Sequence, residues 1–489
     1  VKAPVIAGPE PVPNQGIEDT VPGDASTTVT LTIGTSVNGA VNTLSDRDWF
    51  AVDLVAGKRY SISLDGVVYG SYGALSDPYL RLRDASGNVV KLDDDGGAGL
   101  NSLLTWTASA TGQYYLDVGA FADSGSGGYR LSISESTISK YSLDQIASFL
   151  TEGYWDGSGH RWNTSSDNII TYNLTALTIE GQVLARAAFQ TWANVTNLVF
   201  QEVTSGGDIP FDDNESGAFA SGTWSGGFIT SMRVNVSTNW LASYGTTIDS
   251  YSFQTYAHEI GHALGLGHGG PYNGSANYGQ DNLYQNDIWS YTIMSYFDQA
   301  DAGFGSYRFV MGPSAADIVA MHNLYGANTT FNAGNTVYGR NATAGSLYDF
   351  ANYTTAPAFT IYDTGGSDTL DASSYSANQI IDLNAEAFSS VGGLTNNIGI
   401  ARGVVMEAAQ AGNGADSIMG NAAANILSGN AGADTLNGGA GSDSLYGGAG
   451  NDVLFIDGSS DYLEGGDGDD VILLGGTQLA DIWALFAPS

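Results

Sequence analysis

The apolar positions of this chain change their period three times. From about residue 23 to 136 short runs alternate with period two, as in WFAVDLVAG, RYSISLDG, YLRLRDASG and QYYLDVGAF, and glycine and aspartate turns break them up. That spacing predicts an antiparallel β-sandwich over residues 23–137. Ahead of it, Pro4, Pro9, Pro11, Pro13 and Pro22 resist both helix and strand, so residues 1–22 read as a proline-rich linker. After STISK the period lengthens. SLDQIASFL reads as a short amphipathic helix and TIEGQVLARAAFQTWANV as a longer one capped by Thr178. NLVFQEV and MRVNVS read as strands, which makes residues 138–330 a mixed α/β domain. Beyond residue 331 helical signals fade and glycine takes over. Residues 411–473 then repeat every nine positions without a slip, the mark of a third architecture across 331–489.

Composition narrows the chemistry. With 489 residues and 43% hydrophobic content the chain is long enough for about two to four folded domains. A formal charge of −36 repels nucleic acid and anionic membranes and favours divalent cations. There is no cysteine, which excludes disulfides, thiolate metal sites and thiol nucleophiles. No run of eighteen apolar residues occurs, so no membrane insertion is expected.

Three of the five histidines lie within HEIGHALGLGH, residues 258–268. FQTYAHEIGHAL has helical character, so His258 and His262, four apart, project from one face and can share an ion. A straight helix cannot supply the third ligand. Gly265 is suited to turn the chain back so that His268 reaches the same point. Three neutral imidazoles at about 2.0–2.1 Å with an open position suit a catalytic Zn²⁺, whereas structural zinc is closed by four ligands. Glu259 is then the candidate general base that takes a proton from water. Downstream, SYTIMSYF places Met294 as an apolar floor beneath the ligands.

On HEIGHALGLGH, IMSY, ADIVAMHNLYGAN and the repeats beyond, residues 140–473 resemble the metzincin zinc endopeptidases, and among them the serralysin family of secreted bacterial proteases. The resemblance implies that His258, His262 and His268 bind zinc, that Glu259 is the base, and that Tyr296 is a further ligand that leaves the metal to stabilise the transition state. A hydroxyl in that role contributes about 3 kcal/mol. It also implies a peptide substrate lying extended along an edge strand within ESGAFASGTW. Where the family carries proline after the third histidine this chain has Gly269, expected to loosen the following loop. His160 and His322 fall outside the motif and are expected to be structural. The first domain, through Asp48, Phe50, Gly57, Tyr60, Asp77, Leu80, Gly112 and Tyr114, resembles the bacterial pre-peptidase carboxy-terminal domain. Its acidic loop KLDDDGG suggests a segment able to lie across the cleft.

Counted from Ala411, the sixth position of each nonapeptide is Asp416, Asn425, Asp434, Asp443, Asp452, Asp461 and Asp470. The eighth is always Ile or Leu, from Ile418 to Ile472. Glycines permit close carbonyl approach, the acids supply charge, and the eighth residue fills the interior of a parallel β-roll that binds Ca²⁺. Asp363, Asp368 and Asp371 offer an earlier, less regular set. Two nonapeptides make one coil, and the edge carrying Asp416, Asp434, Asp452 and Asp470 is expected to bind calcium more tightly. On the other edge Asn425 lacks charge, and Ile456 and Asp457 replace turn residues. Without calcium the roll should unfold, which fits export of an unfolded chain by type I secretion machinery. DIWALFAPS at the end reads as a shortened signal or a truncated end.

The expected architecture is therefore multidomain: an N-terminal jelly-roll-like β-sandwich, an α/β metzincin catalytic domain and a C-terminal parallel β-roll. The expected activity is that of a secreted, extracellular, monomeric zinc endopeptidase acting on protein and peptide substrates, with one Zn²⁺ and several Ca²⁺. The alternative is a calcium-dependent surface or adhesive protein whose zinc site is vestigial. An esterase on similar repeats is disfavoured, because GxSxG is absent.

Overall fold

A computed structural model describes residues 20–456 and 460–474. Most of the proline-rich linker, Asp457 and the DIWALFAPS terminus lie outside the described residues. The chain divides into two units, one ending at Ser139 and one beginning at Lys140.

In the first unit, eight strands form two antiparallel four-stranded sheets: β1 (Thr35–Val41), β2 (Asp48–Leu54), β3 (Arg59–Gly66), β4 (Pro78–Arg83), β5 (Val89–Asp93), β6 (Ser102–Thr107), β7 (Gly112–Ala120) and β8 (Gly127–Glu135). Their orders are β1-β8-β3-β6 and β2-β7-β4-β5. Alternation sends Tyr60, Ile62 and Leu64 of β3 inward, to meet Phe50 and Val52 of β2 and Leu116 and Val118 of β7 in one core drawn from both sheets. The acidic loop folds back on β4, and one carboxylate oxygen each of Asp77, Asp94 and Asp95 come within 4.8 Å of one another.

The second unit opens with α1 (Leu143–Ser148) and a five-residue extension to Gly153. A mixed sheet follows, built from β9 (Ile169–Asn173), β10 (Val199–Glu202), β11 (Ile209–Asp212), β12 (Ala218–Ser225) and β13 (Phe228–Val236) in the order β10-β9-β11-β13-β12. All neighbours are parallel except β12, which runs antiparallel along β13 and ends the sheet. The expected strand in ESGAFASGTW is thus an edge. α2 (Ile179–Val195), capped by Thr178 as expected, buries Leu184, Phe189 and Trp192. The ring of Phe189 stacks on Tyr172 of the sheet at 4.0 Å. Across α2, the indole N–H of Trp192 donates to the Ala257 carbonyl at 3.0 Å. That bond ties α2 to α4 (Tyr251–Ala263), the helix carrying two of the clustered histidines. α3 (Thr238–Tyr244) precedes α4, and α5 (Ala315–Tyr325) closes the α/β part.

The same unit continues into parallel sheets consistent with a β-roll. Strands in residues 417–474 and 408–467 belong alternately to two sheets, and each pairs with the strand eighteen residues on, as in Ile418↔Leu436↔Leu454 and Leu427↔Leu445↔Leu463. Those six side chains are buried, which is how a nine-residue repeat makes a core with one apolar residue per period. Replacing Leu445 with alanine in calcium-saturated protein is expected to cost about 3 kcal/mol. Chemical unfolding followed by far-UV circular dichroism measures it.

Candidate metal and catalytic site

α4 begins with the Ser250 hydroxyl accepting from the Phe253 N–H at 3.3 Å. It ends as the sequence required. Gly265 has φ +104°, the Leu266 N–H donates to the Gly261 carbonyl at 3.0 Å and the Gly265 N–H donates to the His262 carbonyl at 2.9 Å, a complete Schellman reversal. A Cβ on Gly265 would collide with the His160 carbonyl, so the reversal admits no side chain. The carbonyls left over at the helix end are capped by side chains far away in sequence. The indole of Trp162 donates to Ala263 at 2.8 Å, the Tyr325 hydroxyl to Leu264 at 2.7 Å, and the indole of Trp155 to Gly265 at 3.1 Å.

This reversal brings His258, His262 and His268 together, with one ring nitrogen of each inside a 4.8 Å group. The Nδ1 of His258 lies 2.9 Å from the Ile293 carbonyl and that of His262 lies 2.7 Å from the Leu266 carbonyl. A carbonyl only accepts, so both Nδ1 atoms carry the proton and both Nε2 atoms present lone pairs. The Nε2 atoms of His262 and His268 are 3.0 Å apart. Burial pushes the His258 imidazole down to about 4 and that of His268 down to about 3, and holds His262 well below its ordinary value, with the two neighbouring rings adding to it. Three neutral imidazoles turned toward one point, with no carboxylate or thiolate to share it, form the donor set of a zinc site and fit the ion.

The floor is rigid. Met294 is fully buried, and a Cβ on Gly261 would press its Sδ at 2.6 Å, so helix and floor touch where glycine leaves room. The buried Asp317 of α5 holds the preceding turn, accepting from Thr292 Oγ1 (2.6 Å), Ile293 N (2.8 Å) and Ser314 N (2.8 Å). The Ile293 peptide thus joins Asp317 on one side and, through its carbonyl, His258 on the other. The spacing Ser314-x-x-Asp317 before an apolar run marks a helix start, but nothing in it points to the turn before Met294. The expectation of a looser loop after His268 is corrected. The Gly269 N–H donates to the Met294 carbonyl at 3.1 Å, and a Cβ there would strike the buried Asp287 carboxylate, which accepts from the Tyr272 hydroxyl at 2.9 Å. Glycine lets the loop pass close; it does not free it.

The histidines line a cleft of about 760 Å³ together with Glu259, Tyr296 and the edge strand β12. Glu259 is buried, which pushes its carboxyl up to about 8 against the opposing pull of the Ala220 N–H of β12. The base candidate and the edge strand are therefore in direct contact. The Tyr296 ring packs against His268 at 4.5 Å, and its hydroxyl accepts from the Gly274 N–H at 3.2 Å. His322, on α5, donates its Nε2–H to the Val195 carbonyl at 3.0 Å, away from the cleft lining. His160 stands on the cleft wall, stacked on Trp224 of β12 at 3.9 Å and 7°.

In the roll, Asp434, Asp443, Asp452, Asp461 and Asp470 each accept, through Oδ1, the backbone N–H of the residue eighteen positions earlier, at 2.7–3.0 Å. Asp416 accepts from Gln379 N and Gly412 N instead. The Oδ2 atoms of Asp434 and Asp452 are buried without a hydrogen-bond partner, over glycines 429 and 447 that leave them space. A buried carboxylate oxygen without a donor fits a cation. Asn425 differs: its Oδ1 accepts from Asn421 N at 2.8 Å and its Nδ2 donates to the Met406 carbonyl at 3.0 Å. Farther back, Asp368 accepts from Thr336 N and Asp363 accepts from the Tyr338 hydroxyl, and burial with Asp363 nearby raises the Asp368 carboxyl.

Comparison with known proteins places these parts. Three family models match: matrixin over residues 161–275, the peptidase M10 serralysin C-terminal region over 327–478, and the bacterial pre-peptidase C-terminal domain over 46–120. The metalloprotease AprA of Pseudomonas entomophila (strain L48) is 33% identical over 362 residues, which are 68% of this chain and 68% of that protein. The chain belongs to the serralysin family. Serralysin C of Dickeya chrysanthemi is 37% identical over 352 residues, covering 65% of this chain and 71% of that protein. Metallopeptidase AprA of Pseudomonas marginalis is 39% identical over 262 residues, and there the match spans about half of each chain, 50% of this one and 54% of the other. Within this chain the matrixin match takes in the three histidines and Glu259, and the C-terminal match takes in the repeats.

Asp317→Ala leaves three buried donors unsatisfied and is expected to cost about 3 kcal/mol. Because the lost anchor holds the Ile293 peptide behind His258, bound zinc should fall with it. Thermal unfolding and metal analysis of the same preparation measure the two effects together.

Proposed function

We propose that this protein is a secreted zinc-dependent endopeptidase whose fold is stabilised by calcium. The observation that carries the reading is the convergence of three neutral imidazoles beside a buried glutamate that also touches an unpaired edge strand. A zinc ion held there would polarise a peptide carbonyl and acidify water. Glu259 receives the proton of the attacking water and passes it to the leaving amine. The outer side of β12 has no strand partner among the described residues, so an extended peptide adds there backbone to backbone. Such pairing reads shape more than side chains, and broad specificity follows. Tyr296 stands over His268; its hydroxyl oxygen accepts from the Gly274 N–H, and its O–H donates to the oxyanion that forms at the scissile carbonyl.

The roll supplies the calcium sites. Carboxylates stacked at each coil repel one another unless a divalent ion lies between them, so folding of this part follows external calcium. That dependence suits a chain without cysteine that leaves the cell unfolded through a type I channel and folds outside, acting as a monomer on protein substrates. Asp416, Asp434, Asp452 and Asp470 make the tighter edge, since Asn421 and Asn425 fill their own turn with amide hydrogen bonds.

Glu259→Gln is expected to keep a full zinc complement and to lower casein cleavage about a thousandfold. Retained zinc with negligible cleavage in both wild type and variant would instead support the adhesive reading. In calcium titrations followed by far-UV circular dichroism, Asp452→Ala should raise the calcium midpoint about tenfold, and Asp461→Ala should raise it less. Equal shifts would contradict the inequality of the edges.

A further inference from the structure

The segment from Phe149 to His160 grips the turn that carries the third histidine at three places. The Gly267 N–H donates to the Leu150 carbonyl at 2.7 Å, the indole of Trp155 donates to the Gly265 carbonyl at 3.1 Å, and the Tyr154 hydroxyl lies 3.1 Å from His268 Nδ1. Tyr154 is itself wedged. Its ring lies on Gly267, where a Cβ would overlap it, and it packs edge-on against Trp155 (4.8 Å, 88°) and against His268 (5.2 Å, 87°).

The three imidazoles are therefore not held alike. His258 and His262 face backbone carbonyls, which fix both the tautomer and the plane of each ring. At His268 a phenol lies at hydrogen-bond distance from Nδ1, and the Tyr272 backbone also approaches the ring. A histidine ligand whose second nitrogen loses its acceptor loses orientation and basicity together. Glycines at 265 and 267 leave the turn itself without side chains, and Tyr154 and Trp155 are among the groups outside it that brace it.

Given that the three histidines are metal ligands, we infer that Tyr154 is the positioning residue of the third. Its hydroxyl accepts the Nδ1 proton of His268 and, with Trp155 on the Gly265 carbonyl, turns Nε2 toward the point it shares with His262. Tyr154 touches no reacting atom and acts through the ring it holds.

Tyr154→Phe isolates the hydroxyl, because the phenyl ring keeps its packing on Gly267 and Trp155. In the full-length, calcium-loaded protein, the zinc dissociation constant is measured by competition with a chelator of known affinity. It is expected to rise about tenfold, with thermal unfolding of the metal-free protein unchanged. The visible spectrum of the Co²⁺-substituted variant should shift as the third nitrogen moves. Trp155→Phe, which removes only the tether to Gly265, is expected to weaken zinc in the same direction by a smaller factor. A wild-type dissociation constant and an unaltered Co²⁺ spectrum in Tyr154→Phe would overturn the inference and hand the orienting role to the Tyr272 backbone. His268→Ala separates this from failure of the ligand assignment: undiminished zinc affinity there would remove His268 from the site, and the role of Tyr154 with it.

Discussion

One face of an α-helix can offer two imidazoles to an ion, and no continuation of that helix offers a third. The cleft of this protein depends on how the chain meets that constraint. It stops α4 at Gly265, folds back within three residues, and returns His268 to the side it had left. A reversal so tight exposes carbonyls that a longer helix would have satisfied. Here three aromatic donors, Trp162, Tyr325 and Trp155, take them up from separate parts of the second unit. The helix end is thus a junction, and the precision of the metal site is inherited from it.

A second line of support reaches the first ligand from the opposite direction. Asp317, buried at the start of α5, gathers three donors from the turn before Met294 and fixes the peptide whose carbonyl faces His258. Burial pushes this carboxyl up to about 7 even though the three donated hydrogen bonds pull the other way. The turn before Met294, His258 and α5 are therefore joined through one chain of hydrogen bonds. The roll follows another logic: it places acids in register, one coil above the next, and leaves the apolar content of each period to a single buried residue. Its apolar core is one residue wide in each period, whereas the α/β part is held by broader packing and hydrogen bonds.

How far these features could be read from the residues alone depended on their range. α4, its stop at Gly265 and the nonapeptide ladder are encoded in patterns a few residues long and stand where those patterns put them, while the edge strand at 218–225 was implied only by the family resemblance. Thr178 capping α2 belongs to the same class. Tyr154, Trp155, Trp162 and Asp317 do not. Apart from the Ser314 N–H three positions before Asp317, the partners named for them lie from 24 to 114 positions away, and an aromatic or acid with a distant partner has no periodic signature. The stretch GYWDGSGHRW carries two tryptophans within eight residues, an enrichment that could have drawn attention to it. His160 shows the same limit. Outside any motif it reads as structural, yet the fold sets it on the cleft wall against Trp224. Gly269 was misjudged for a related reason, since flexibility was inferred where close passage over Asp287 was the cause.

The claim on which the whole account rests is that the reversal at Gly265 delivers His268 to the same ion as His258 and His262. X-ray absorption at the zinc edge of the calcium-loaded protein tests it most directly. The account predicts three imidazole nitrogens at about 2.0–2.1 Å in the wild type and two in His268→Ala. Two imidazoles in the wild type, or a count unchanged by that substitution, would contradict it.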